Sequence, residues 1–176
     1  MIYEPAEDSF LLKKQLKNII KKGMKVLDLG TGSGIQAQEA KRLEANVLAS
    51  DINPKCVKHV SNLGIKTIQS NLFENIKEKF DLIIFNPPYL PEEPLEPEDS
   101  KLSTTGGKKG NEILIKFLKQ AKQHLNKNGK IIIVFSSLTP KVDETLKKLN
   151  YNFKKLDEQK IDFEMLLTYL LSPQEA

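Results

Sequence analysis

Apolar positions recur along this chain in two alternating rhythms. From Glu7 to Lys22 the apolar residues Leu12, Leu16, Ile19 and Ile20 share one side of a 3.6-residue period. Pro5 stands ahead of them, acids fill the first turn and Gly23 follows, so the segment predicts a helix. Lys25 to Leu29 is a short apolar run and predicts a strand. Ile35 to Leu43 then predicts a helix, Asn46 to Ser50 a strand, and Pro54 to Leu63 a helix that opens on proline and stops before Gly64. Lys66 to Gln69 and Leu82 to Phe85 predict two further strands. Glu112 to Leu125 is an amphipathic helix, Ile131 to Phe135 a buried strand after Gly129, and Asp143 to Leu149 a last helix. Phe153 to Ile161 and Phe163 to Leu171 read as an antiparallel terminal pair separated by Asp162, with periodicity alone leaving a helix open for the second segment.

Strands alternating with helices imply an α/β fold, with a mostly parallel sheet covered on both faces and a ligand site at the carboxyl ends of its strands. One segment interrupts the alternation. Between Pro87 and Asn111 no element is signalled; Pro88, Pro91, Pro94 and Pro97 punctuate it, Glu92, Glu93, Glu96, Glu98 and Asp99 make it acidic, and Gly106-Gly107-Lys108-Lys109-Gly110 ends it. A loop of this length leaving an apolar strand at the ligand end suits a substrate loop or lid.

Composition narrows the classes. At 176 residues, with 39% hydrophobic and 28% charged positions, the chain has the size and balance of one globular domain, taken here as 1–176. The net charge of +4 is spread over mixed Lys and Glu without a basic arm, so it permits nucleic acid without indicating it. Cys56 stands alone, excluding an intrachain disulfide and suggesting a reducing, cytoplasmic setting. The opening residues carry three acids and no long apolar run, unlike a signal peptide, and no stretch reaches the length of a membrane-spanning helix. His59 and His124 lie in predicted helices without partners at ligand spacing, so no metal is expected.

Chemistry concentrates after the strands. Asp28-Leu29-Gly30-Thr31-Gly32-Ser33-Gly34 joins a strand to a helix, and its glycines let backbone approach a ligand closely. Position 35 is Ile and the glycines fall at alternate positions, which disfavours a dinucleotide fingerprint. Asp51, 21 residues after Gly30, can accept hydrogen bonds from both hydroxyls of a ribose; its bland role would be an N-cap for the Pro54 helix, which Asn53 could fill as well. Asn71, in Ser70-Asn71-Leu72-Phe73, keeps an acceptor oxygen for an exocyclic amine. In Asn86-Pro87-Pro88-Tyr89 the prolines stiffen the backbone, so the Asn86 oxygen and the Pro87 carbonyl can converge on one NH₂ group, with Tyr89 stacking on a planar acceptor or facing a cationic donor. Phe10 and Leu11 are expected in the core.

The alternate-glycine turn resembles motif I of the S-adenosylmethionine-dependent methyltransferases, and Asn86-Pro87-Pro88-Tyr89 resembles the motif of their amino-methylating branch. The opening Tyr3-Glu4-Pro5-Ala6-Glu7-Asp8-Ser9-Phe10-Leu11-Leu12, Asp51-Ile52-Asn53-Pro54 and the Gly106 to Gly110 segment look like the archaeal and eukaryotic branch of the HemK/PrmC-like protein-glutamine N5-methyltransferases. That resemblance implies a seven-stranded class I Rossmann-like fold without the N-terminal substrate domain of bacterial relatives. It implies cofactor contacts at Ser9, Asp28, Gly30, Gly32, Asp51, Asn71, Leu72 and Asn86, with Asn86, Pro87 and Tyr89 gripping the acceptor and Tyr3 and Glu4 ordering the site. The expected substrate is the glutamine of a Gly-Gly-Gln motif in a peptide-chain release factor. The expected partner is a small zinc-binding activator subunit pairing with the strand at Lys66 to Gln69, where the sheet should end. Asn71 departs from the acid usual at its position, and the Glu92 to Asp99 loop departs in composition. The rival readings are N6-adenine or other nucleic-acid amino methylation, which would call for a target-recognition module, and a degenerate fold kept for binding.

Overall fold

The computed structural model describes residues 2, 4–88 and 105–175. Its elements run α1 (Glu7–Leu16), β1 (Lys25–Leu29), α2 (Ile35–Arg42), β2 (Asn46–Asp51), α3 (Pro54–Asn62), β3 (Thr67–Gln69), β4 (Phe80–Phe85), α4 (Glu112–Ala121), β5 (Leu125–Ser136), α5 (Val142–Lys148), β6 (Tyr151–Ile161) and β7 (Glu164–Pro173). The strands form one seven-stranded sheet in the order β3-β2-β1-β4-β5-β7-β6. Pairings from β3 through β5 are parallel, and β7 enters antiparallel between β5 and β6.

Side-chain parity explains why the central strands are continuous apolar runs. Leu27, Leu29, Ile83, Phe85, Ile131 and Ile133 point to one face, where Leu114, Phe117 and Leu118 of α4 and Leu146 of α5 cover them. Val26, Leu82, Ile84, Ile132 and Val134 point to the other, beneath Leu11, Leu12 and Leu16 of α1 and Ala40 of α2. Both faces are buried, so alternation with polar residues vanishes. Each such leucine stabilises the fold by roughly 1.5–3 kcal/mol through burial, and Leu12, with no exposed surface, is held on that account against the sheet.

Several expected boundaries shift. The first helix stops at Leu16 rather than Lys22; Asn18 and Ile19 bond back to Gln15 and Leu16 in tighter turns, which still return Ile20 to the core. Asn18 and the β-branched pair Ile19-Ile20 are weak helix formers, and the chain must reverse at Gly23 to enter β1. The helix expected to reach Leu125 ends at Ala121 in a 3₁₀ turn, Lys122–His124. There the His124 ring stacks on Phe73 with centroids 4.4 Å apart, while the buried Tyr151 hydroxyl donates to the Leu118 carbonyl at 2.6 Å, satisfying an acceptor near the helix end. Leu125 instead pairs with Phe80, so β5 starts earlier, with an irregularity before Lys130 pairs with Leu82. The last segment is a strand: buried Leu166, Thr168 and Leu171 lie in β7, sandwiched between two neighbours. Phe10 is a correction. Leu11, Leu12 and Leu16 take the buried stripe of α1, and Phe10, turned away from it, is 55% exposed.

Candidate active site

Parallel registry brings the chemistry to one end. Leu29 pairs with both Ser50 and Phe85, and Asp51 with Gln69, so Gly30, Asp51, Ser70 and Asn86 emerge along a common edge. Hydrogen bonds from Thr31 N to the Ser50 carbonyl (2.8 Å) and from Ser70 N to the Asp51 carbonyl (2.9 Å) stitch these exits together.

Within the glycine turn, the residues divide by task. Gly30 and Gly32 have φ of 70° and 54°; a Cβ at Gly32 would meet nothing within 4 Å, and one at Gly30 only the Phe85 ring at 3.8 Å. Their outer side is therefore an open cradle. Gly34 serves packing instead, since a Cβ there would lie 3.0 Å from Val60 of α3. Asp28 is buried beneath the turn, where its Oδ2 accepts from the Thr31 hydroxyl (2.7 Å) and the Ala37 amide (3.0 Å). Burial pushes its carboxyl up to about 7 against the pull of those two donors, and the nearby Asp51 charge adds to the rise.

Asp51 ends β2 with one oxygen accepting from Gly32 N at 2.8 Å and the other from Asn53 N at 2.9 Å. Burial raises its pKa, opposed by the Asn53, Gly32 and Ile52 amides. The capping role falls to Asn53, whose side-chain oxygen accepts from Lys55 N. Asp51 is thus free of helix duty and faces the glycine turn. After β3, the Ser70 hydroxyl donates to the Leu72 carbonyl and accepts from Asn75 N, fixing a tight turn in which Asn71 is exposed and Leu72, at φ 49°, packs partly against the core.

Two connections were not legible in the motifs. Gln36, in the first turn of α2, donates through Nε2 to the Ser9 carbonyl at 2.8 Å, while Ser9 N bonds the Asp8 carboxylate at 2.6 Å. This latches the start of α1 beside the glycine turn and leaves Gln36 Oε1 buried with no partner among the described residues. Gly106 lies against the Asn86-Pro87-Pro88 segment, because a Cβ there would sit 2.5 Å from the Pro88 carbonyl oxygen. Only the two glycine-rich segments gave a signal in the sequence; nothing local marks Gln36 or pairs Gly106 with Pro88. Asn86 is half-buried and Pro87 buried at the end of β4. Tyr3, Tyr89 and the acidic Glu92 to Asp99 loop lie outside the described residues. Among the described residues no group of His, Cys, Asp and Glu could hold a metal, and no helix is long and apolar enough to cross a membrane.

The methyltransferase small domain family matches residues 7–165. A candidate protein N5-glutamine methyltransferase of Methanocaldococcus jannaschii is 40% identical over 177 residues, covering 94% of this chain and 89% of that protein. The chain belongs to the methyltransferase small domain family, in its N5-glutamine methyltransferase branch. The mouse family member, methyltransferase HEMK2, is 30% identical over 76% of this chain and 71% of its own length. The release factor glutamine methyltransferase of Borreliella burgdorferi is 41% identical over 62% of this chain, but that match covers 43% of the bacterial enzyme. In three dimensions the chain is similar to one from the E. cuniculi Mtq2-Trm112 complex, which is responsible for methylation of the termination factor eRF1, with TM-score 0.78, 25% identity and 98% of both chains covered. The family's seven-stranded class I methyltransferase fold accounts for the sheet order and for the cradle at its carboxyl edge.

Proposed function

We propose that this protein transfers the methyl group of S-adenosylmethionine to the side-chain nitrogen of glutamine in a Gly-Gly-Gln segment of a peptide-chain release factor. The observation that carries the reading is the exit of Asn86 and Pro87 from β4 at the edge shared with Asp51 and the open Gly30-Gly32 cradle, in a chain 40% identical to a candidate N5-glutamine methyltransferase.

The residues fit the cofactor. Each Asp51 oxygen takes one backbone amide, leaving lone pairs for two ribose hydroxyls. Gly30 and Gly32 leave room for the ligand beside the backbone. Asn71 and Leu72 flank the adenine, Asn71 accepting from its amine. Ser9, latched by Gln36, closes the side nearest α1, and Asp28 keeps the cradle in shape from below. S-adenosylmethionine supplies an electrophilic methyl group when bound.

An amide nitrogen is a poor nucleophile because its lone pair is delocalised, so this chain's contribution is placement. The Asn86 side-chain oxygen and the Pro87 carbonyl accept the two amide hydrogens and turn the nitrogen toward the donor. Bonding of the nitrogen to the methyl carbon, with the carbon–sulfur bond breaking and the sulfur leaving as the neutral thioether of S-adenosylhomocysteine, would make the nitrogen acidic so that it sheds one proton to solvent, and no strong base would be needed beforehand. The two glycines before the substrate glutamine let it enter a narrow slot. We assign this work to a single methyltransferase domain acting in the cytoplasm, with a small zinc-binding activator seated on β3.

Mass spectrometry of a release factor incubated with the protein, its activator and S-adenosylmethionine should find one added methyl on the Gly-Gly-Gln glutamine. Asn86→Ala should lower turnover by on the order of 10²–10³-fold, as expected for loss of one preorganised polar group. Methylation of adenine in oligonucleotides, with Gly-Gly-Gln proteins left untouched, would overturn the assignment.

A further inference from the structure

The β6-β7 hairpin closes through a two-residue turn, Asp162-Phe163, between the paired Ile161 and Glu164. Turns of this kind favour Gly, Asn or Asp. Asp162, at φ 39°, meets that demand, whereas Phe163 gains nothing from the turn and is 99% exposed. A fully solvated phenylalanine contributes no burial to this fold. Its place is informative: β7 runs antiparallel to β5, and Ser136 at the end of β5 pairs with Leu166. The hairpin tip therefore stands at the carboxyl edge that carries Asn86.

Beside it, the segment after β5 presents a second exposed apolar residue, Leu138, at 52%. The two supports are tied together. Ser137 N donates to the Met165 carbonyl at 2.7 Å and Met165 N to the Ser137 hydroxyl at 2.9 Å; the Ser136 hydroxyl donates to Glu164 at 2.9 Å and accepts from Leu138 N at 3.0 Å. The platform is preorganised, so little ordering is required on binding.

From β4, which carries Asn86, the sheet continues to β5 and then β7. Two strand spacings make roughly 10 Å across the sheet. Phe85 pairs with Ile133 and Ile133 with Tyr169, so Asn86 stands level with Thr168, and Phe163 lies five residues, roughly 16 Å, further out along β7. The tip is therefore on the order of 20 Å from Asn86, about twice the span of an extended tripeptide, where the surrounding surface of a folded substrate domain would lie. We propose that Phe163 and Leu138 form a docking rim for an apolar patch on the folded surface of the release-factor domain that carries Gly-Gly-Gln, outside the tripeptide itself, an inference that rests on the glutamine reading above. The rim stands on the same carboxyl edge as Asn86, and exposed Lys141 and Lys160 give it the polar border usual around an apolar anchor.

The test compares two substrates with the full chain bound to its activator: the intact release factor and a short Gly-Gly-Gln peptide. The double variant Phe163→Ser, Leu138→Ser should raise KM for the intact factor by about tenfold or more, the scale of losing an aromatic anchor. Its kcat on the factor and its kcat/KM on the peptide should stay within about twofold of the unaltered protein. Phe163→Ser alone, at a side chain without internal contacts, keeps the test open if the double variant folds poorly. An unchanged KM on the factor overturns the inference, as does an equal loss on both substrates. A change confined to self-association, read by sedimentation, also overturns it by assigning the rim to a second copy of the chain. Unaltered protein that methylates neither substrate refutes the glutamine reading and takes the rim with it.

Discussion

At the end of β2 a single carboxylate ties the glycine turn to the start of α3. Asp51 holds the Gly32 and Asn53 amides, and the same oxygens face the cradle in which a ribose would lie. Hydrogen bonds to a charged acceptor contribute roughly 1.5–3 kcal/mol, equivalent to about 10–100-fold in affinity. Titration calorimetry of Asp51→Ala should accordingly find S-adenosylmethionine binding weakened by about that factor in a protein whose circular dichroism is unchanged. Wild-type affinity in the folded variant would remove Asp51 from the ribose site. Its position could be read from the chain because a strand-end acid after a glycine turn is a local pattern. That Asn53 takes over the cap, freeing Asp51, could not, since both residues suit a cap and only the geometry separates them.

Among the elements, the close approach of Gly106 to Pro88 bears on how Asn86 and Pro87 leave β4. Gly106 packs so tightly that any side chain would collide with the Pro88 carbonyl and with the Gly110 backbone, and its own carbonyl accepts from Ile113 N at the start of α4. The Gly106-Gly110 segment thereby braces the Asn86-Pro87-Pro88 exit from one side, while Phe85 and Phe117, with centroids 4.2 Å apart, fix β4 to α4 from below. Gly106→Ala should shift the Pro87-Pro88 backbone. A displacement near 1 Å at a reacting group costs on the order of 10²-fold, so kcat on the release factor should fall by about that much while cofactor affinity by calorimetry holds. Turnover equal to the unaltered protein would show that the brace carries no catalytic weight. The glycines themselves stand out in the sequence; their contact with the proline motif arises because α4 returns the chain to the end of β4.

For the whole molecule, the sheet order leaves β3 as an edge of three residues. The Lys66 carbonyl and the Ser70 amide bond inward to β2, so by strand alternation Thr67 and Gln69 point their backbone groups outward. Such an edge is a template for strand addition. With the activator co-expressed, the protein should elute as a heterodimer. Thr67→Pro, which removes an outward amide and leaves the inner ladder intact, should abolish co-elution while preserving S-adenosylmethionine binding. Equal co-elution with Thr67→Pro would place the activator elsewhere.

By itself the sequence determined the α/β alternation, the open glycine turn and the exit of Asn86-Pro87 from a strand end, because buried parallel strands, strand-to-helix turns and proline-fixed exits are each written in a few adjacent residues. Boundaries that depend on distant partners were decided by tertiary structure. The helix ending at Ala121 stops where Phe73 receives the His124 ring and Tyr151 caps the Leu118 carbonyl, and α1 ends where the chain must reverse into β1. Phe10 was expected inside and lies outside because one helix face can bury only one stripe, and the leucines occupy it. The Gln36-Ser9 latch and the rim of Leu138 and Phe163 join residues far apart in the chain, so they exist only once the sheet has aligned its strand ends.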